Sequence, residues 1–311
     1  MELNPTLHTK SMAVQLPTLI VNAFQLLSPP PQRSYLVIID GLDECHDKET
    51  QQSILRLLCE TITVHKLPLR FLIGSRPEFH IRDSFGQESL YRITRRVVLD
   101  ETFDPGRDIQ VILKDGFAKV CAKNSIIPSL VEQPWPEEGI IDLLVQRSSG
   151  QFIYADTVLK FVGADFCSPK NQLALLLKPD PTAFSDLDQL YTQILSVYPS
   201  AVNIVEVLGI IISFDNNYQP EVIEDILGME EGRLKLVLRG LSSLMEDEDH
   251  ENWECLKNGS YVIPHFAHAS FCDYLFNSSR SGPFHVDREE YKNQLTIRGF
   301  ALIMQLIRPW G

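Results

Sequence analysis

Four charged side chains follow apolar runs of the sequence, and their types suit phosphate and metal chemistry. Asp40, Asp43 and Glu44 follow one run, and Arg76 follows another. Carboxylate oxygens are ligands that Mg²⁺ prefers, and a neighbouring carboxylate can orient or deprotonate an attacking water. An arginine can stabilise charge on a transferring phosphoryl group. Together, these residue types predict a site for a phosphorylated ligand with a divalent cation.

The elements that must position these side chains form a strand–helix–strand unit. The run Tyr35–Ile39 is typical of a strand buried on both faces of a parallel sheet, and residues 70–74 predict a second strand. Between them, residues 48–66 carry an apolar stripe at helical spacing, and Asp47 can cap that helix. Because parallel strands end at the same edge of a sheet, the four side chains are expected to meet there. A third strand is predicted at residues 96–99.

A second interpretation of the acidic residues stays open. Carboxylates after a strand often cap the following helix, and Asp43, Glu44 and Asp47 all precede one. The combination of separated acids, a helix and a second strand ending in Ser-Arg-Pro favours the nucleotide site over capping alone.

The sequence around these residues resembles a known family. The segments YLVIIDGLDEC and LRFLIGSRPE resemble the Walker B and sensor-1 segments of NACHT-type signal-transduction ATPases, in the nephrocystin-3-like, fungal branch of that group. The likeness covers most of residues 30–280, in the family's order. It continues through Phe103–Ile109, Arg147–Ala155, Leu187–Tyr191 and Phe266–Leu275, the last resembling the family's H-x-S-F-x-D-F-L element.

The resemblance implies roles for individual residues. Asp40 corresponds to the position that helps to hold Mg²⁺, and Asp43 and Glu44 to the catalytic carboxylate. Arg76 corresponds to the residue that senses the terminal phosphate of the nucleotide. His268 corresponds to a winged-helix histidine that contacts the bound diphosphate. For His268, a helix cap or a core position is the alternative.

One element of the family is missing from the sequence. P-loop enzymes grip phosphate with G-x-x-x-x-G-K-S/T, and no segment of the 311 residues has this pattern. The chain is therefore expected to be truncated relative to the family and not to bind ATP tightly by itself. ATP or ADP with Mg²⁺ are the cofactors of the intact family, and the absence of any cofactor is the alternative for this chain.

The predicted fold class is α/β, in three parts. Residues 1–125 are predicted to form a partial P-loop parallel sheet with Walker B and sensor 1, and residues 126–200 a helical domain. Residues 201–311 are predicted to form a winged-helix domain and a C-terminal helix. Its helices would cover residues 220–227, 230–245 and 268–276, with a wing at 246–254 and 261–263.

The predicted function is a fragment of a nucleotide-switched signalling scaffold rather than an enzyme in its own right. Its partners would be proteins, or further copies of the chain through the NTPase module. One alternative is an active ATPase whose P-loop lies upstream or in a partner, and another is a winged-helix DNA-binding protein. The balance of 28 Lys and Arg against 41 Asp and Glu argues against nucleic acid and anionic membranes as partners.

Cysteine usage and hydropathy indicate a cytoplasmic protein without a membrane span. The six cysteines include no C-x-x-C pair, and a secreted disulfide-stapled domain would be short and cysteine-dense. The apolar stretches are shorter than the ~20 residues that a transmembrane helix needs.

Overall fold

The structure is a computed structural model that divides the chain into two compact units, Met1–Val98 and Leu99–Gly311. Each unit is described by itself. The predicted boundaries at residues 125 and 200 stay predictions. The structure describes residues 6–27, 33–45, 47–99, 103–123, 135–165, 167–178, 185–197, 204–213, 220–245 and 266–307.

The first unit contains a parallel strand pair and its connecting helix. Its elements are α1 (Met12–Leu16), a π-helical turn (Pro17–Val21), α2 (Asn22–Gln25), β1 (Tyr35–Ile39), a 3₁₀ turn (Leu42–Glu44), α3 (Lys48–Thr63), β2 (Leu69–Ile73), α4 (Phe79–Gly86) and α5 (Glu88–Tyr91). The predicted strand–helix–strand unit is confirmed. The predicted cap is confirmed too, because the Asp47 carboxylate accepts a hydrogen bond from the Thr50 amide at 2.7 Å.

The two strands pair in parallel, from Tyr35 opposite Leu69 to Ile39 opposite Ile73. Successive side chains along a strand point to opposite faces of the sheet. Leu36 and Ile38 are two residues apart, and Ile38 is paired with Leu72, so these three side chains lie on the same face. These three side chains are 61%, 66% and 57% exposed. The prediction that β1 is buried on both faces is therefore wrong. A continuous apolar run shows that both faces are apolar, but it does not show that both are covered.

The small core of this unit lies beside the 3₁₀ turn and the helices. Its buried members are Leu42, Leu55, Cys59, Ile81 and Leu90, and Ile54, Ile73 and Phe85 pack against them. Leu42 has no exposed surface although it stands between acidic residues. This turn of the chain is therefore anchored by an apolar side chain.

The predicted third strand is wrong. Residues 96–99 lie within the described part of the chain and are not assigned to a strand. Val97, Val98 and Leu99 are all more than half exposed. The β-branched Val97 and Val98 favour a strand, but a strand forms only where a neighbouring strand can pair with it.

The second unit is helical in its described residues. It contains α6 (Pro105–Lys123), α7 (Glu138–Ser148), α8 (Phe152–Val162), α9 (Pro169–Leu176), α10 (Asp186–Ser196), α11 (Ile204–Ser213), α12 (Pro220–Leu227), α13 (Arg233–Gly240), α14 (Ala269–Phe276), α15 (Ser278–Ser281) and α16 (Arg288–Ile307). A single apolar cluster extends from Ile109 in α6 to Val286 after α15. The predicted helical and winged-helix domains thus share one core.

Local signals in this unit place the helix ends as predicted. The Ser185 hydroxyl accepts a hydrogen bond from the Asp188 amide at 3.1 Å, and Gly228 follows α12 with φ +63°. The predicted helix at 230–245 is shorter, since α13 ends at Gly240 and a 3₁₀ turn (Ser242–Leu244) follows. The predicted wing lies outside the described residues, so the winged-helix assignment stays a prediction. None of the helices in the described residues combines the length and apolarity that crossing a membrane requires.

Candidate functional site at the carboxyl ends of the strands

Backbone hydrogen bonds bring the two predicted site segments together beyond the strands. The Gly74 amide donates to the Ile39 carbonyl at 2.8 Å, and the Leu42 amide donates to the Gly74 carbonyl at 3.1 Å. The residues after β1 and those after β2 therefore meet at the carboxyl edge of the sheet. This is the arrangement that the sequence predicts for Asp40, Asp43, Glu44 and Arg76.

Asp40 occupies the space that a side chain on Gly74 would fill. Its Oδ1 accepts a hydrogen bond from the Gly41 amide at 3.0 Å, and a Cβ added at Gly74 would lie 2.5 Å from the same oxygen. The exposed carboxylate thus lies over the neighbouring strand on the face of Leu36 and Ile38. Only glycine at position 74 leaves this space open.

The Asp40 carboxylate fits a single-ligand role for Mg²⁺. Mg²⁺ usually takes one or two protein carboxylates together with phosphate oxygens and waters. The described residues contain no group of three or more His, Cys, Asp or Glu side chains arranged to hold a metal. A metal at Asp40 would therefore take its remaining ligands from other oxygens, such as those of a bound phosphate and of water.

Asp43 and Arg76 are bonded to each other. Oδ1 of Asp43 accepts hydrogen bonds from the Arg76 amide at 2.9 Å and from the Ser75 hydroxyl at 3.2 Å. Its Oδ2 lies 3.4 Å from Nε of Arg76, and the Asp43 side chain is only 9% exposed. The predicted catalytic carboxylate and the predicted phosphate sensor form one ion pair across the sheet edge.

Glu44 is the exposed carboxylate of the turn. Gly41 adopts φ +67°, which favours glycine, and its missing Cβ would lie 3.1 Å from Oε2 of Glu44. Gly41 therefore permits both the left-handed turn and the approach of the Glu44 side chain. Of the two predicted catalytic carboxylates, Glu44 is exposed and Asp43 is half-buried.

Gln51 supports this turn from below, a role that the sequence did not suggest. Its Nε2 donates to the carbonyls of Asp43 and Cys45, each at 2.9 Å, and its Oε1 bonds to Nε2 of His80. The side chain is buried on α3. A glutamine within an otherwise apolar helical stripe is the signal that would have indicated a structural amide at this position.

His268 lies in the second unit and caps α14. Its Nδ1 accepts a hydrogen bond from the Ser270 amide at 3.1 Å and lies 2.6 Å from the Ser270 hydroxyl. That hydroxyl is 2.8 Å from the hydroxyl of Tyr191. The cap, which was the alternative for His268, is observed, and its predicted contact with a diphosphate stays a prediction.

A buried ion pair in the second unit was also missed. Nε and an amino group of Arg280 donate to the two carboxylate oxygens of Asp188 at 3.1 and 2.7 Å. Asp188 is 1% exposed and Arg280 is 25% exposed, and hydrogen bonding to Asp188 raises the pKa of Arg280. Nothing in the local sequence links two residues that are 92 positions apart, so the pair requires the fold to be known.

Comparison with known proteins gives one result. The family described as "Nephrocystin 3, N-terminal" matches residues 3–76. No curated protein and no solved structure matches the chain. The matched segment includes β1, β2 and all four predicted residues of the sheet edge. It supports a nephrocystin-3-like relationship for this part of the chain.

Proposed function

We propose that this chain is a module of a NACHT-like signalling scaffold and that it does not hydrolyse ATP by itself. The observation that carries the proposal is the ion pair between Asp43 and Arg76. The Asp43 carboxylate accepts hydrogen bonds from the Arg76 amide and the Ser75 hydroxyl and faces the Arg76 guanidinium, so its oxygens are engaged within the protein and are not directed at a water. Nε of Arg76 faces Asp43 and would have to leave it to bind a phosphate.

The lack of a phosphate-gripping motif in the sequence supports the same proposal. In P-loop enzymes the backbone N–H groups and the lysine of that motif hold the phosphates. The sheet edge offers Asp40 and Glu44, both anionic, and these repel a nucleotide unless Mg²⁺ is bound as well. The site by itself is therefore expected to bind ATP or ADP with low affinity.

Each residue has a defined role if a nucleotide with Mg²⁺ is supplied in a larger assembly. Asp40 would hold the ion, which would neutralise charge on the phosphates. Glu44 would orient a water, and Arg76 would have to exchange Asp43 for the terminal phosphate.

The proposal is tested with the full chain in two assays. We expect no phosphate release from ATP above background, and no saturable heat on titration with MgATP up to millimolar concentrations. Asp40→Asn and Glu44→Gln serve as controls. Phosphate release that is lost in Glu44→Gln would overturn the proposal and establish the active ATPase instead.

The DNA-binding alternative has a separate test. Residues 99–311, which include the predicted winged helix, carry 17 Lys and Arg against 31 Asp and Glu. Such a charge repels a phosphate backbone, so we expect no shift of duplex DNA in a gel at low salt. A shift that weakens with increasing salt would support the DNA-binding alternative over the scaffold.

A further inference from the structure

One face of the two-stranded sheet is apolar in its centre and open to solvent. We call it the open face. From β1 it contains Leu36 and Ile38, together with Asp40, which directly follows the strand. From β2 it contains Arg70 and Leu72, together with Gly74, which directly follows that strand. Parallel sheets are normally covered on both faces, because their strands are apolar on both sides. In this unit, the other face carries the half-buried residues Val37 and Ile39.

Charge is distributed along the open face in a definite order. Arg70 is exposed at the amino end of the strands, opposite Leu36 in the register. Asp40 is exposed at the carboxyl end, about 13 Å further along at 3.3 Å per residue. Ile38 and Leu72 form the apolar layer between them. The face thus has a cationic end, an apolar centre and an anionic end.

A two-fold rotation makes this face complementary to itself. Two copies would pack with their open faces together. The two-fold axis would lie midway between the two sheets, perpendicular to the strands, and would pass between the Ile38 and Leu72 layers of the two copies. The rotation reverses the strand direction and places β1 over β1 and β2 over β2. The central apolar layer then packs on its own copy, Arg70 of each copy lies over Gly74 of the other, and Leu36 of each copy lies over Asp40 of the other.

Gly74 provides the detail that completes the match. It has no side chain, and the Asp40 carboxylate lies in the space where its Cβ would be. Arg70 placed over Gly74 of a second copy therefore meets the carboxylate of Asp40. Two such pairs form in each dimer, and a two-fold interface requires this reciprocity.

We propose that the open face is a self-association surface on which a second copy of this chain packs with its strands antiparallel. The two sheets would lie about 10 Å apart, as in aligned sheet packing. Burial of Ile38 and Leu72 against their own copies supplies the driving force. Because six residues on each side make an interface smaller than the ~800 Å² per partner of stable complexes, the dimer is weak and depends on concentration.

Charge reversal tests the pairing directly. The full chain is examined by sedimentation velocity over a concentration series from about 5 to 500 µM. We expect the wild type to shift from monomer to dimer, and Arg70→Glu and Asp40→Lys each to raise the dissociation constant at least about tenfold. An equimolar mixture of these two variants should dimerise again, because each interface then contains two pairs of opposite charge.

Controls separate this face from other surfaces of the molecule. Ile38→Lys should abolish the dimer, whereas Leu236→Lys, at another exposed leucine, and Arg95→Glu, at another exposed arginine, should leave it unchanged. Circular dichroism checks that each variant is folded. A wild type that stays monomeric at the highest concentration would overturn the proposal. Single variants that dimerise like the wild type, or a mixture that stays monomeric, would also overturn it.

Discussion

The two units of the chain differ in how completely they are stabilised. Among the described residues, the first unit has five buried residues in its core cluster, and the second has 34. The first unit leaves the apolar open face in solvent, whereas the second encloses even charged groups such as Asp188. Residues 1–98 carry 11 Lys and Arg against 10 Asp and Glu, whereas residues 99–311 carry 17 against 31, so the negative charge of the chain lies in residues 99–311. The helical unit thus has a large continuous core, whereas the sheet unit has a small core beside an exposed apolar face.

The largest expected difference between the units appears at alkaline pH. Burial raises the pKa of Tyr154, Tyr191 and Tyr274 to about 12 each. Above pH about 10, the unfolded chain loses phenol protons that the folded chain keeps. The free energy of unfolding of the second unit is therefore intact below about pH 10 and falls by several kcal/mol as the pH approaches about 12.

Two optical signals measure this loss. The absorbance of ionised tyrosine and the helical circular dichroism should change together in a cooperative step between pH about 10 and about 12. Tyr191→Phe should move that step to higher pH, and Tyr91→Phe, at an exposed tyrosine of the first unit, should not. Ionisation of all the tyrosines without loss of helix would contradict the prediction.

The next largest effect is expected from the buried ion pair. Arg280→Ala leaves the Asp188 carboxylate buried without its partner, which should lower the free energy of unfolding by about 3–5 kcal/mol. The matched control is Arg92→Ala, which removes an exposed ion pair with Glu88 and should cost less than about 1 kcal/mol. Urea unfolding followed by circular dichroism measures both. Equal losses in the two variants would show that the Asp188–Arg280 pair is not desolvated as described.

A smaller effect is expected from Gln51 in the first unit. Gln51→Ala leaves the carbonyls of Asp43 and Cys45 without a donor, at a cost of about 1–3 kcal/mol. The exposed neighbour Gln52 is the control, and Gln52→Ala should change the free energy by less than about 0.5 kcal/mol. Hydrogen exchange resolved by peptide measures both variants. Faster exchange at residues 40–45 in Gln51→Ala alone is expected, and unchanged exchange there would refute the role of Gln51.

The smallest expected effect concerns the cap of α14. His268→Ala removes the acceptor for the Ser270 amide and should cost about 1 kcal/mol. His268→Asn offers a different acceptor at the same position and should restore most of that loss. Thermal unfolding of the three proteins at mildly alkaline pH gives the ranking. If alanine and asparagine behave alike, the histidine does not act as a cap.

Local patterns in the sequence were sufficient to predict several elements of both units. Apolar runs located β1 and β2, and short polar signals located the caps at Asp47 and Ser185. These features depend on residues that lie close together in the chain. The position of the candidate site at the sheet edge was also predictable. Parallel strands end at the same edge of a sheet, which brings Asp40 close to the residues after β2.

Features that depend on distant residues were not predictable. The exposure of Leu36 depends on whether another element packs on that face of the sheet. The apolar sequence of β1 carries no information on this. The pairing of Asp188 with Arg280 depends on how α10 packs against α15. The pairing of Asp43 with Arg76 depends on the distance between the ends of two strands.

Leu42 has a mechanical consequence for the acidic turn. Its side chain is inserted into the core with Leu55 and Ile81, while its neighbours Asp43 and Glu44 belong to the site. A ligand or a second copy that displaces this turn must therefore also displace Leu42. Its neighbours in the core would then have to repack, since protein interiors are too densely packed to absorb such a shift locally. The position of the acidic turn is therefore tied to the packing of Leu42 against the helices of the first unit.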